Sequence, residues 1–541
     1  MSSTATAPGA GAARPGTFAS LVRALSSWRT AAVVLLSFSS GMPLGLVWIA
    51  IPDWMRAAGV DIRIVGLFTL AQAPWTFNVL WAPVLDRYRP PFLGRRRGWI
   101  AIFQVLLILC ILALSGVGDR PETAWVALAV TLAIAFAAAS QDIVIDAYAV
   151  DVLRREEQGV AAGARIALYR AGMWIAGAIS ITFAAQISWA VVCVILAALF
   201  VPMIAISVFA PEPALAYQEP KTLKEAVWHP FLGFLSRHRA LEILAFVLLY
   251  KLCDNFAQAL LRPFLNDMGY TAFDRGVALG TIGLAGQIGG AVIGGICTNL
   301  IGLGRALWVF GILQIFSNVG YVMLANIETH RLAMYGAMGF ENVTQGLGTG
   351  AFSVLLLRMT QRRFSAAQYA LFSTLFGLGR IVSGPIAGFT VDAVGWSSFF
   401  WITMPLGIPG LVMLHRFVPW GVREPRFALR EVEPGPPLSP AQLRWRGFAT
   451  ALAAVLLAVL LMAAMAALKG YRADPQAGFA LGTALATLVR PAGFGGWLQL
   501  VGVIAFGATC GLLAAALGAA RRGAGREVAG EETAGANPAS G

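Results

Sequence analysis

Along most of the chain, runs of about 20 apolar residues alternate with short polar connections, and each run is long enough for a helix to cross a bilayer. The pattern predicts fourteen spans, at roughly 30–52, 64–85, 98–117, 123–146, 160–185, 187–210, 240–265, 276–300, 304–326, 331–357, 366–391, 394–416, 447–468 and 497–520. Backbone groups in lipid need partners inside the protein, and helices supply them segment by segment. The reading is an all-α polytopic membrane protein. A longer polar stretch, 211–239, parts the first six spans from the next six. This 6+6 layout is the outline of a transporter made of two parallel repeats. The predicted organisation is a disordered N-terminus (1–29), a six-helix bundle (30–210), a linker (211–239), a second six-helix bundle (240–417), a second linker (418–446), two additional spans (447–520) and a disordered tail (521–541).

Composition removes the soluble alternatives. The 541 residues are 58% hydrophobic and 12% charged, with a mean hydropathy of +0.72. The formal charge of +13 would suggest nucleic acid in a soluble protein, but here Lys and Arg fall in short loops between apolar runs. Counted over alternate loops, one side holds 27 of them and the other 8, which puts both termini in the cytoplasm and argues against a nucleic-acid partner. The first apolar run lacks a small-residue cleavage site and is read as an uncleaved helix. The five cysteines all lie inside apolar runs with no CxxC spacing, so no disulfide framework or metal centre is indicated. There is no GxxxxGK[ST] phosphate loop and no HExxH. ATP-driven transport, an intramembrane enzyme and a bound cofactor are therefore not expected.

Ionisable residues at membrane depth are costly and mark functional candidates. In span seven, Lys251, Asp254, Gln258 and Arg262 recur at helical spacing and predict one polar stripe, with Lys251 ~16 Å from the start of the span. Lys251 and Asp254 either bind an anionic group, exchange a proton, or hold the helix as an internal ion pair. Span four ends in SQDIVIDAYAVD (140–151), where Asp142 and Asp146 share a face and Asp151 lies opposite, beyond the span. Arg165 and Arg170 of span five are the expected partners. Asp142, the deeper acid, suits proton loading; Asp146 and Arg170 suit a gate or a structural pair. Glu341 of span ten has no basic neighbour a turn away, which suits a proton carrier, and Asn342 and Gln345 flank it. Arg380 of span eleven, among glycines, could bind a carboxylate through both guanidinium nitrogens or pair with an acid of its own half. Gln72, Trp75, Asn78 and Trp81 recur every third residue in span two and offer rings and amides to a sugar.

The two halves also echo each other. Asp142 and Asp146 share the i,i+4 spacing of Glu341 and Gln345, and Arg170 and Arg380 are each followed by Ala-Gly. The loop DRYRPPFLGRRRG after span two (Asp86, Arg87, then Arg95 and Arg96) is echoed by NLIGLGR after span eight. The first of these loops resembles the signature between helices two and three of the major facilitator superfamily, which clamps helix ends on the cytoplasmic side; here five extra residues stand before Gly94.

More specific are WAPVLDRYRPPFLGRRRGW (81–99), ASQDIVIDAY (139–148), LLYKLCDNFA (248–257), GFENVTQGLGTGAF (339–352) and FSAAQYALFSTLFGLGRIVSGPIAGF (364–389). In this order they resemble the AmpG family of muropeptide permeases, over about residues 30–417. The QD-x-x-x-DA element alone is also similar to eukaryotic acetyl-CoA transporters. The resemblance implies a proton-driven secondary transporter of a Gram-negative inner membrane. It would import GlcNAc–anhydroMurNAc, with or without peptide, in cell-wall recycling, and so feed β-lactamase induction. On this reading substrate meets Lys251, Arg380, Gln258, Gln72, Trp75, Asn78, Asn342 and Gln345. Protons use Asp254, Glu341 and Asp142, and Asp146, Arg170, Asp86, Arg87, Arg95 and Arg96 gate or brace the bundle. Two other readings stay open: a transporter of another bulky anion, such as acetyl-CoA or a different glycoconjugate, and a membrane sensor that binds without transporting. No motif is found in the last 120 residues or so, whose two spans are expected to be peripheral and lipid-facing.

Overall fold

The computed structural model describes residues 26–61, 64, 65, 68–118, 120–212, 220–425, 427–429, 431–433, 436–473, 476, 478–491 and 493–524. The ends expected to be disordered lie outside the described residues up to position 25 and from position 525, as does 213–219 of the first linker. Residues 28 and 29, assigned to the N-terminus by sequence, already belong to the first helix, and the last helix runs on to Arg521.

The described elements are helices. Before the linker stand α1 (Trp28–Ala57), α2 (a broken helix over 68–87), α3 (Arg95–Ser115), α4 (Ala124–Val152), α5 (Arg155–Ile187) and α6 (Trp189–Phe209). The linker carries α7 (Leu223–Leu235). Then follow α8 (broken, over 240–267), α9 (Phe273–Leu300), α10 (Leu303–Asn326), α11 (Arg331–Met359), α12 (365–394) and α13 (396–417). Last come α14 (Pro440–Ala473), α15 (Leu481–Val489) and α16 (Phe494–Arg521). Nine of these helices are long and apolar enough to cross a membrane among the described residues, and the pair Thr390–Thr403 and Pro405–Phe417, bent by 43°, makes a tenth. The other four predicted spans are α2, α8, α11 and α12. The first two are broken, and α11 is a continuous helix whose apolar run is interrupted by Glu341, Asn342 and Gln345 among glycines.

The breaks follow from the residues. Pro74 and Pro83 each lack an N–H, and α2 breaks into alternating 3₁₀ and α turns, Phe68–Gln72, Ala73–Phe77, Asn78–Leu80 and Ala82–Arg87. The every-third spacing of Gln72, Trp75, Asn78 and Trp81 fits the three-residue turn of a 3₁₀ helix. Helix α8 is interrupted at Lys251 (φ −102°, ψ 8°) and at Leu260 (φ −119°, ψ 20°). The predicted stripe is therefore not continuous, and Arg262 is exposed beyond the second break.

The repeat shows in the turns. Gly94 (φ 82°) precedes α3 and Gly302 (φ 89°) precedes α10; Ser188 (φ 97°) precedes α6 and Gly395 (φ 77°) precedes α13. The halves meet along α5 and α9, where Gly159 lies on the backbone of Gly295, and a side chain at Gly163 would sit 2.7 Å from the Ala291 carbonyl. Only hydrogen fits between those backbones. These contacts lie at the end of the bundle that also holds the 88–94 loop and α7, the linker end.

Helix α7 lies across that end: Phe234 meets Phe372 of α12 edge-on at 5.1 Å, and Gln368 donates to the Pro230 carbonyl at 2.9 Å. Helix α14 presents Leu456, Leu457, Leu460 and Leu461 outward, as expected of a lipid-facing helix. Helix α16 is less peripheral than the sequence suggested. It packs on α7, where Ser236 donates to the Ala524 carbonyl at 3.1 Å, and a side chain at Gly502 would lie 3.0 Å from the Phe77 ring of α2.

Candidate functional site

At the linker end, Asp86 is fully buried and takes hydrogen bonds from Arg95 Nη2 at 2.8 Å and Arg96 Nη2 at 2.7 Å. It also accepts from the backbone N–H groups of Ala366 (3.2 Å) and Ala367 (2.8 Å), the first turn of α12 in the other half. A carboxylate at a helix N-terminus meets free N–H groups and the positive end of the helix dipole. Arg96 continues to Asp151 at 2.8 Å and to Ser365 at 2.6 Å, and Ser365 donates to Asp151 at 2.9 Å. Asp151, expected beyond the span, is instead the buried end of α4 and part of this clamp. Its position half a turn away from Asp142 is what points it there. The five extra residues before Gly94 leave the clamp intact. Glu212, at the end of α6, caps α3 through the Arg95 N–H (3.1 Å) and pairs with Arg97 (2.8 Å). Arg87 takes no part in that network; it stacks over Tyr88 at 5.5 Å.

Deeper in the first half, Trp75 Nε1 donates to Asp142 at 2.8 Å, with Ser40 beside the carboxyl and Trp48 edge-on to Trp75 at 6.0 Å. The other Asp142 oxygen is buried without a hydrogen bond. Asp146 pairs with Arg165, which also donates to Ser37 at 3.1 Å and lies against Tyr369 of α12. The expected partnership of the α4 acids with span five is thus formed by Arg165, not by Arg170. Asn78 is buried at the seam, where its side-chain oxygen faces the Thr374 hydroxyl at 3.5 Å, and Gln72 lies half-buried on α2.

In the second half, Lys251 is 2% exposed, donates to Asp254 at 2.9 Å and reaches the Gln345 carbonyl at 3.2 Å. Glu341 is 1% exposed and neither of its oxygens has a hydrogen bond; Gln258 and Ser317 lie beside it, and the Lys251–Asp254 pair is in electrostatic reach. Gln345 is tied to Gln287 of α9, and Asn342 donates to the Met338 carbonyl at 2.8 Å while packing on Gly283 and Gly286. Those two amides hold α11 against α9 instead of facing an open space.

Arg170 and Arg380 remain. Each is the sixteenth residue of its helix, α5 and α12, so they stand at matching depth in the two halves. Neither makes a hydrogen bond or ion pair to a described residue, and Tyr169 is in electrostatic reach of both. Arg380 is exposed midway along a helix inside the bundle. The arginine echo of the two halves is thus geometric. The acid echo is not: Asp142 is the nineteenth residue of its helix and Glu341 the eleventh of a helix of equal length. Tyr169 and Tyr369, central to this arrangement, were missed by sequence; a polar aromatic beside Arg170 on a span was the available signal.

These features match known proteins. Residues 33–368 match the model of the Major Facilitator Superfamily. The chain belongs to that superfamily and, within it, to the AmpG-like permeases. It is 41% identical over 388 residues to the anhydromuropeptide permease of Escherichia coli K12, covering 71% of this chain and 79% of that protein. It is 28% identical to the putative transporter AmpG 4 of Rickettsia felis, covering 73% and 97%. Among solved structures, a bacterial homologue of the iron transporter ferroportin in the outward-facing state superposes with a TM-score of 0.55 at 13% identity over 72% of this chain and 98% of the other, a likeness of fold. In a superfamily of membrane transporters, the unpaired charges at mid-depth are where solute and coupling ion are sought.

Proposed function

We propose that this protein is a proton-coupled importer of anhydromuropeptides, set in the inner membrane with both termini in the cytoplasm. The relatives named as anhydromuropeptide permease and AmpG transporter support the substrate class, and the loop bias of Lys and Arg supports the orientation. With that orientation the clamp around Asp86 closes the cytoplasmic side, and solute enters from the opposite side. A permease role, not catalysis, is what this arrangement serves.

The observation that carries proton coupling is the second-half cluster. One buried ammonium, Lys251, serves two buried carboxyls, Asp254 and Glu341, and the Glu341 oxygens are without hydrogen bonds. Two carboxylates beside one ammonium leave a net charge in the bilayer; a proton on one of them removes it. Alternating access would expose the cluster first to one side and then to the other, loading and releasing that proton. Asp142 is a second candidate, held by Trp75 on one oxygen only.

The test is uptake of radiolabelled GlcNAc–anhydroMurNAc into proteoliposomes under an inward proton gradient. Accumulation above equilibrium that collapses with a protonophore is expected, and Glu341→Gln is expected to keep exchange of labelled for unlabelled solute while losing accumulation. Accumulation that ignores the protonophore would sink the coupling. Absence of uptake by folded protein under either gradient would sink the substrate assignment, and binding without uptake would favour the sensor.

A further inference from the structure

We infer that the C-terminal hairpin of α14 and α16 holds α7 as a bar across the seam between α2 and α12. The linker end then opens only when α7, the second linker and the end of α16 leave α2 together, moving with the second half. The inference is independent of the solute.

Opening that end has to part Asp86, at the end of α2, from Ala366 and Ala367 at the start of α12. Helix α7 packs on both sides of this joint, on the Ala82–Arg87 turn of α2 and on α12. The two attachments differ. Toward the second half, Gln368 donates to the Pro230 carbonyl at 2.9 Å and Phe372 meets Phe234. Just past the end of α7, Arg237 is buried and donates to the Met359 carbonyl at the end of α11. Toward α2, no hydrogen bond forms between described residues, so this is the contact that parts without stranding a donor or acceptor.

At 13 residues, α7 is too short to persist as a helix without packing. The C-terminal region supplies that packing. Ala516, Ala519 and Ala520 of α16 are buried in the same core as Phe231, Leu232 and Leu235 of α7, and Ser236 donates to the Ala524 carbonyl at 3.1 Å. Small residues let the two helices approach closely. The second linker runs along the end of α7: Phe427 lies under the Arg237 guanidinium at 5.6 Å, and the His238 N–H donates to the Ala428 carbonyl at 2.7 Å. Further on, the Glu433 N–H donates to the Arg521 carbonyl at 2.9 Å, which ties the linker to the end of α16. Helix α16 is in turn fixed on α14, where a side chain at Gly511 would lie 2.5 Å from the Gly447 carbonyl. The two added spans therefore back the bar that crosses the seam.

The test uses the full chain and reads thiol labelling of a cysteine placed at Ala367. Ala516→Leu wedges α16 off α7 and is expected to raise that labelling at least about fivefold, the scale of overpacking a buried face. Ile504→Phe, on the exposed side of α16, should leave it unchanged. A cysteine at Met338, buried in the second half away from the linker end, should stay protected in both variants. If Ala516→Leu fails to fold, Ser236→Ala removes one hydrogen bond and should raise labelling about twofold. Unchanged labelling at Ala367 in whichever variant folds, or an equal rise at Ala367 and Met338, would overturn the inference. A second measurement follows the bar itself. Spin labels at Leu223 on α7, Leu300 at the end of α9 and Arg155 at the start of α5 are compared with and without Asp86→Asn. The 223–300 distance is expected to hold while the 223–155 distance gains a longer population. A change in 223–300, or no change in either, would show that α7 is not a bar carried by the second half.

Discussion

The linker end and the middle of the bundle treat charge in opposite ways. At the linker end Asp86, Asp151, Arg95, Arg96, Ser365 and the first turn of α12 form a closed network in which each carboxylate oxygen has donors from both halves or from the chain beside it. In the middle, Glu341 has no hydrogen bond, Asp142 and Asp254 each leave one oxygen bare, and neither Arg170 nor Arg380 has an ion pair with a described residue. With every carboxylate oxygen taken, the clamp is a lock: it favours one arrangement of the halves and has no acceptor left to offer a ligand. An unsaturated network is unstable as it stands, which makes it responsive to a proton or an anion.

The difference can be broken most forcibly at the lock. Asp86→Asn takes the anion away from Arg95 and from a helix N-terminus and leaves Arg96 paired with Asp151, and removing one partner of a buried pair costs about 3–5 kcal/mol. The expected result is a markedly lower unfolding midpoint together with increased labelling of a cysteine placed at Ala367; an unchanged midpoint and labelling would mean that Asp86 does not hold the halves. Lys251→Met should cost a similar amount, about 3–5 kcal/mol, by stranding Asp254. Adding Asp254→Asn should recover most of it in chemical unfolding, because the stranded charge is then gone.

The seam offers a test of intermediate size. Gly295→Ala puts a methyl onto the Gly159 backbone, and overpacking of this kind costs about 1–3 kcal/mol. If the closed linker end needs that contact, the loss should appear as increased labelling on the cytoplasmic side. The smallest effects belong to the open site. Glu341→Gln replaces a carboxyl that has no hydrogen bond to lose, so its unfolding midpoint should move little while proton-driven accumulation is lost. Trp75→Phe removes the N–H that Asp142 accepts, a change of about 1 kcal/mol in stability. It should be visible mainly as a shift in the pH dependence of uptake; a pH profile identical to that of the unaltered protein would remove Asp142 from the coupling scheme.

The span positions, the two-half outline and the polar residues at membrane depth were legible along the chain, because apolar length and the cost of charge in lipid act locally. The twin loops DRYRPPFLGRRRG and NLIGLGR were legible too, since Gly94 and Gly302 are the same backbone solution to starting a helix after a turn. What each polar residue does was not legible. Periodicity places Asp142, Asp146 and Asp151 on faces of α4 but cannot say what stands opposite. Tertiary structure gave Asp142 to Trp75, Asp146 to Arg165 and Asp151 to Arg96. The break at Lys251 likewise turned a predicted stripe into a pair. Arg170, read as a gate beside the α4 acids, pairs with neither once Arg165 has taken Asp146 and Trp75 has taken Asp142. Burial in the membrane depends on one segment's composition, whereas neutralising a buried charge depends on a partner from elsewhere in the chain, 19 residues away for Asp146 and 55 for Asp151, and only the folded chain decides which partner arrives.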